Sequence, residues 1–211
     1  MTKRMLDRAY DEELRSLEAA SAARLMEHGE RTQKNVRPDG SSCTQGRSSR
    51  SEGDRKSLLS SEEAGQMAAE YRAAGKRIVF TNGCFDLVHR GHVTYLREAS
   101  QLGDVLFLGL NSDSSVRRLK GAGRPLLSLK DRVEVLTELR SVDHVIVFDE
   151  DTAENLVQLI RPEMYVKGGD YRPEFAPPEA RVVMMLGGEY RALSYVEGIS
   201  TTGLITRIRQ L

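Results

Sequence analysis

The sequence predicts an α/β fold, a Rossmann-like five-stranded parallel sheet with helices on both faces, preceded by an N-terminal extension. Three observations carry this. Short apolar runs recur from residue 78 onward and alternate with segments whose apolar residues fall at helical spacing. The runs are continuous rather than alternating, the mark of strands buried on both faces. Polar and glycine residues collect after each run, at the strand ends where open parallel sheets bind ligands.

Residues 1–30 are charged and favour helix, with Met5, Leu6, Tyr10, Leu14, Leu17 and Leu25 as a rough apolar stripe, so one amphipathic helix is expected. Residues 31–57 are rich in Ser, Arg, Gly, Asp and Gln and hold only Val36 as a strong apolar residue. They cannot bury enough surface to offset ordering entropy and read as a disordered linker. Residues 1–57 are therefore taken as an extension and 58–211 as the folded domain. Ser60-Ser-Glu-Glu63 reads as a helix start, with Gly75 as its stop. Ile78 to Thr81 is the first strand, Asn82-Gly83 a turn, and Val93 to Leu102 a helix. Asp104 to Leu110 is the second strand, ending in Asn111-Ser-Asp113, and a basic loop from Arg117 to Pro125 follows. A helix over 128–140 shows Val133, Leu136 and Leu139 on one face. His144 to Phe148 is the third strand, Thr152 to Ile160 a helix stopped by Pro162, and Met164 to Val166 the fourth strand, with Lys167-Gly-Gly-Asp170 as its polar end. Pro178 to Leu186 reads as helix, Tyr190 to Tyr195 as the fifth strand, and Ser200-Thr-Thr202 opens a last helix.

Lys plus Arg and Asp plus Glu both number 31, so no global field points to nucleic acid or a membrane surface. Over residues 1–56 twelve basic residues face ten acidic ones, which makes a solvated tail a better reading than a nucleic-acid arm or a transit peptide. Cys43 and Cys84 are the only cysteines; neither a disulfide framework nor a metal cluster is written in them. No run of about 18 apolar residues occurs, so the chain is expected to be soluble and cytoplasmic.

The chemistry concentrates in Asn82 to His92. His89 and His92 stand three apart around Gly91, at the mouth of a helix, where free N–H groups and the helix dipole favour an anion. Two incidental histidines would be an equally ordinary reading of the pair alone. A metal site is less apt, because no further ligands stand nearby in sequence. Lys120 in a glycine-flanked loop, Lys167 with Asp170, and Ser200, Thr201 and Thr202 before a helix are each common as solvated turns or caps. They gain meaning because all fall at predicted strand ends on one sheet edge, and a phosphate site accounts for them together.

Gly83-Cys-Phe-Asp-Leu-Val-His-Arg-Gly-His92 resembles the G-x-F-D-x-x-H-x-G-H signature of the cytidylyltransferase-like nucleotidyltransferases, and Gly198-Ile-Ser-Thr-Thr202 resembles their second signature. Arg140-Ser-Val-Asp143 resembles their R-x-V-D segment. Within that superfamily, Asn111-Ser-Asp113, Arg118-Leu-Lys-Gly121, Asp149-Glu-Asp-Thr152 and Val166-Lys-Gly-Gly-Asp-Tyr171 resemble most the branch that activates D-glycero-β-D-manno-heptose 1-phosphate. The likeness spans roughly residues 60–211. Glycerol- and choline-phosphate cytidylyltransferases commonly carry an arginine where Val196 stands, a departure that points away from them.

The resemblance implies transfer of an adenylyl group from ATP to a heptose 1-phosphate, giving ADP-heptose and pyrophosphate for the lipopolysaccharide core. A cytidylyltransferase acting on a polyol or alcohol phosphate, and a non-catalytic nucleotide-binding module, are the alternatives. By the same resemblance His89, His92 and Lys120 are the catalytic candidates. Asn82, Gly83, Phe85, Gly91, Gly198, Ser200, Thr201 and Thr202 are nucleotide contacts, and Asp86, Lys167 and Asp170 are candidates for the sugar-phosphate end. Mg2+ is expected with ATP, held mostly by substrate and water rather than by protein ligands. A homodimer is expected. Residues 1–56 are too few for a sugar kinase, so the heptose kinase is expected on another chain.

Overall fold

The computed structural model describes residues 57–169, 176–194 and 196–211. The expected N-terminal helix, residues 31–56 of the expected linker and Asp170 lie outside the described residues, while Ser57, the last residue of that linker, is described and begins the first strand. The elements are β1 (Ser57–Leu59), α1 (Ser61–Ala73), β2 (Ile78–Gly83), α2 (Arg90–Ser100), β3 (Val105–Asn111), α3 (Asp113–Lys120), α4 (Leu129–Thr137), β4 (His144–Phe148), α5 (Glu154–Ile160), β5 (Met164–Gly168), α6 (Pro178–Met185), β6 (Glu189–Leu193) and α7 (Thr201–Ile208).

All neighbouring strands are parallel, in the order β1-β4-β3-β2-β5-β6. The sheet thus has six strands where five were expected. The extra one, β1, pairs Ser57, Leu58 and Leu59 with His144, Val145 and Ile146. Three residues carry no periodicity, and the pairing that makes them a strand comes from far along the chain. From β2 the chain steps outward through β3 to β4, then returns past β3 and β2 to lay down β5. The switch in direction falls between β2 and β5, and a crevice opens there beyond the strand ends.

Alternation along the strands sorts the two faces. Ile78, Phe80, Val105, Phe107, Ile146 and Phe148 pack with residues of α1, α5 and α6. Residues of the other phase, such as Val79, Leu106, Leu108 and Val145, are fully buried on the side where α2, α3 and α4 pack against the strands. Helices therefore cover both faces, as expected.

Local chemistry sets the helix ends. Ser60 Oγ accepts from Glu63 N (3.2 Å) while Glu63 Oε2 accepts from Ser60 N (2.8 Å), a reciprocal capping box at the helix start expected from Ser60-Ser-Glu-Glu63. The expected basic loop over 117–125 begins instead as α3. Ser112 caps it by accepting from Ser115 N (3.1 Å), and Gly121, at φ 95°, ends it. With only Val116 and Leu119 apolar, that helix has no stripe to read; its cap initiates it.

Carboxylates close the N-terminal edge of the sheet. Glu163 accepts from Ile78 N (2.8 Å), Asp104 from Arg77 N (2.7 Å) and Asp143 from Leu106 N (2.8 Å). Those donors are spent on structure, so the C-terminal edge is left to carry the chemistry. Ser60→Ala removes one half of the capping box and is expected to cost about 1 kcal/mol. A urea titration should show a lower midpoint with an unchanged slope.

Candidate active site

The end of β2 turns sharply through Asn82-Gly-Cys-Phe-Asp86. Phe85 lies in the left-handed region (φ 42°) with its ring buried, and a Cβ at Gly83 would stand 3.1 Å from that ring. A bulky residue at positive φ is strained and persists only where its surroundings hold it. Arg132 of α4 does part of the holding. Its guanidinium, fully buried, donates through one η nitrogen to the carbonyls of Cys84 (2.7 Å) and Asn111 (2.8 Å), and through the other to Asp113 (2.7 Å). The ends of β2 and β3 are thereby tied to one cation. Nothing in the sequence pattern distinguished Arg132 from the surface arginines around it.

The turn delivers the histidines to the start of α2. His89 is its N-cap, and its Nδ1 accepts from Gly91 N (3.1 Å); His92, three residues on, accepts at Nδ1 from His89 N (3.4 Å). These bonds assign the proton of each neutral ring to Nε2, the remaining nitrogen. The rings stack at 3.9 Å between centroids, and Phe85 lies 5.3 Å from His92. A Cβ at Gly91 would meet the His89 ring at 3.0 Å, so a larger residue there would press on the stack. Burial, and secondarily the His89 ring, push the His92 imidazole down to about 4, with the Leu87 carbonyl opposing; burial also lowers His89.

A second network lies at the switch point. Asn82 Oδ1 accepts from Tyr165 OH (2.8 Å) and Lys167 Nζ (2.9 Å), its carbonyl accepts from the same Nζ (3.0 Å), and its Nδ2 donates to Glu179 (3.2 Å). Glu179, buried on α6, also accepts from Ala153 N (3.0 Å). Lys167 therefore binds Asn82, and burial lowers its pKa against the pull of Glu179. Tyr165 and Glu179 were not anticipated; the partners they serve are 83 and 97 residues away in sequence.

One pocket of about 650 Å³ gathers these groups. It is lined by Asn82, Gly83, Phe85, Asp86, His89, Gly91 and His92 from the first signature, and by Lys120, Lys167, Ser200, Thr201 and Thr202. Of the expected residues, Gly198 is not among the lining; at φ 77° it turns the chain ahead of α7. Ser200 caps α7 by accepting from Gly203 N (3.0 Å), and Thr201 donates to the Leu87 carbonyl (3.4 Å), joining the two signature segments. Lys120 is exposed as the last residue of α3, where a mobile loop was expected. Asp86 is buried, bonded to Arg124 and accepting from Leu126 N (2.7 Å) and Leu127 N (3.0 Å).

Residues 80–207 match the family described as Cytidylyltransferase-like. The chain belongs to that family. This cytidylyltransferase-like chain is 50% identical over 157 residues to the Bifunctional protein HldE of Geobacter sulfurreducens, covering 74% of this chain and 32% of that protein. It is 53% identical over 137 residues to the Bifunctional protein HldE of Syntrophotalea carbinolica, covering 65% and 28%. The chain spans about a third of the length of the curated relatives it matches. Among solved structures, a lipopolysaccharide core biosynthesis protein from Thermoplasma volcanium GSS1 aligns with a TM-score of 0.48 at 26% identity, over 58% of this chain and 98% of that one.

Among the described residues no group of three or more His, Cys, Asp or Glu side chains is placed to hold a metal ion. The pocket carboxylates are engaged: Asp86 as above, Glu179 with Asn82 and Ala153, and Asp151 with Arg118 (2.8 Å).

The lowered His92 pKa has a sign. Folding favours the neutral ring, so its contribution is full above the unfolded value of about 6.5 and is lost as pH falls toward 4. The bound is about 3 kcal/mol, and partial exposure of the ring to the pocket reduces the expectation to about 1–2 kcal/mol. Chemical denaturation between pH 7 and 4 should show this loss, and His92→Asn should flatten it.

Proposed function

We propose that this domain is an adenylyltransferase that joins D-glycero-β-D-manno-heptose 1-phosphate to ATP, releasing ADP-heptose and pyrophosphate. One observation carries the nucleotidyltransferase reading: two helix N-termini, those of α2 with His89 and His92 and of α7 with Ser200, open on one pocket and are joined by the Thr201 to Leu87 bond. Helix N-termini favour anions, and two of them suit a polyphosphate. The heptose branch is supported by the Lys167-Gly-Gly-Asp170 and Asp149-Glu-Asp-Thr152 segments and by Val196 in place of an arginine.

The sugar phosphate is already an anionic nucleophile. One of its oxygens bonds to the α-phosphorus of ATP while the bond from that phosphorus to the bridging oxygen of the β-phosphate breaks, and the electron pair leaves with pyrophosphate. No strong general base is required; alignment and charge stabilisation are. His89 and His92, with protons on Nε2, donate to phosphate oxygens. Their rings are neutral before the triphosphate arrives, and its negative charge favours protonation, so their donation strengthens as charge grows on the leaving group. Lys120 neutralises phosphate charge from the end of α3. Ser200, Thr201 and Thr202 bind phosphate at the mouth of α7. Asn82, Gly83, Phe85 and Gly91 present backbone to the nucleotide, and Gly198 sets the turn that brings α7 to it. Lys167 holds Asn82 in place and adds positive charge, while Asp86 and Asp170 are assigned to the sugar-phosphate end. Mg2+ would come with the nucleotide, held mostly by substrate and water, and would supply charge neutralisation there.

The sugar 1-phosphate has to come from a kinase activity. The relatives are about three times as long as the segment they share with this chain and are named bifunctional, so that activity need not sit on a separate polypeptide as residues 1–56 suggested. No helix among the described residues is long and apolar enough to cross a membrane. A cytoplasmic homodimer is part of the same proposal, and sedimentation velocity checks its size.

The test is pyrophosphate release across ATP and CTP, each with heptose 1-phosphate, glycerol 3-phosphate and phosphocholine. Turnover with ATP and the heptose phosphate is expected. Activity with CTP alone would replace this reading by a cytidylyltransferase, and ATP binding without turnover would make the domain a binding module. His92→Ala should lower kcat by about 2–4 kcal/mol of transition-state stabilisation with a much smaller change in ATP affinity. An equal loss of folding in that variant would make His92 a structural residue.

A further inference from the structure

Arg124 lies in the connection between α3 and α4 and lines the same pocket as His89, His92 and Lys120. Its Nε donates to the carboxylate of Asp86, whose other oxygen accepts from Leu126 N (2.7 Å) and Leu127 N (3.0 Å). The Asp86 side chain is 1% exposed and that of Arg124 19%. The acid is thus part of the wall, and the guanidinium stands in front of it. Among the described residues no protein acceptor is bonded to either η nitrogen of Arg124. Burial pushes the Cys84 thiol at the pocket up, against the nearby positive charges of Lys120, Arg132, Lys167 and Arg124.

A guanidinium is planar, so fixing Nε on a buried carboxylate fixes the plane of the whole fork and removes much of the freedom a pocket arginine would otherwise lose on binding. The carboxylate shares its charge with two backbone N–H groups, so the cation in front of it is only partly neutralised. What remains is an oriented pair of donors without protein partners among the described residues, in a pocket with two helix N-termini. A tetrahedral phosphate matches that edge through two parallel N–H bonds to two oxygens.

We propose that Arg124 is a phosphate-binding residue of this site, with Asp86 as the positioning residue that aims its η nitrogens at a substrate phosphoryl group. This rests on the nucleotidyltransferase reading above. It also gives Asp86 a role one step removed from substrate, through the fork it holds. The ligand is a phosphate group, of the sugar phosphate or of the nucleotide, and the two are separated by experiment.

Steady-state kinetics of the full chain, varying ATP and heptose 1-phosphate in turn, should be run on Arg124→Ala and Arg124→Lys alongside thermal unfolding. Arg124→Lys keeps the charge opposite Asp86 and lacks the fork. In both variants the KM for a phosphate-bearing substrate should rise about tenfold or more, with the Tm of Arg124→Lys unchanged. A rise for heptose 1-phosphate assigns the fork to the acceptor, and a rise for ATP assigns it to the triphosphate. Recovery of both wild-type KM values in Arg124→Lys, or no rise in either variant, would overturn the proposal and leave Arg124 as a mere tie to Asp86. If wild type turns over no substrate pair, the functional reading falls first. Calorimetric titration with ATP and with inorganic phosphate then decides: about tenfold weaker binding of either to Arg124→Lys upholds the fork, and equal binding overturns it.

Discussion

The architecture of the pocket depends on one buried cation. Arg132 has no exposed surface, yet it carries a full charge between the ends of two central strands. An ion in such a place costs several kcal/mol unless its donors are matched, and here Cys84 O, Asn111 O and Asp113 match both η nitrogens. Its Nε alone is buried without a hydrogen-bond partner among the described residues. The arrangement binds the turn after β2 to the turn after β3, and the strained Phe85 backbone is held between that tie and the Asp86 wall. Strain of this kind is kept where geometry matters more than stability.

Both histidines are placed by that turn. His89 begins α2, so its ring position follows from where the turn ends, and His92 follows one helical turn later. The same segment supplies the Leu87 carbonyl to Thr201, so α7 is set relative to α2 by the peptide group between Asp86 and the histidines. At the switch point, Asn82 makes four hydrogen bonds with Tyr165, Lys167 and Glu179, three through its side-chain amide and one through its backbone carbonyl, beside an otherwise expensive lysine. The chain is neutral overall, but its pocket is not. Lys120, Arg124, Lys167 and two helix mouths converge on it, and burial favours the neutral form of both histidines there.

The division of labour along the sheet has a simple cause. Carboxylates from Asp104, Asp143 and Glu163 satisfy the N–H groups at the strand starts, so that edge is closed. At the other edge, parallel strands end with carbonyls while helices begin with N–H groups, and the polar side chains found there are those that tie strand ends together or face the crevice.

The main strands, the helices flanking them and the residues of both signatures were legible in the chain because each is a local pattern: an apolar run, a cap, a glycine turn, a histidine pair. The sequence by itself also determined that glycine, helix mouth and imidazoles are contiguous at the first turn, which is the local pattern that favours an anion. Tertiary structure alone decided the rest. The edge strand β1 exists only through His144 to Ile146, and α3 replaces an expected loop because one serine caps it. Arg132, Glu179 and Tyr165 acquire their roles from partners brought near by the fold, and Lys167 and Asp86 turn out to hold Asn82 and Arg124. Long-range pairing leaves no periodic trace in a sequence; a buried arginine and a solvated one are the same letter until the sheet closes around one of them.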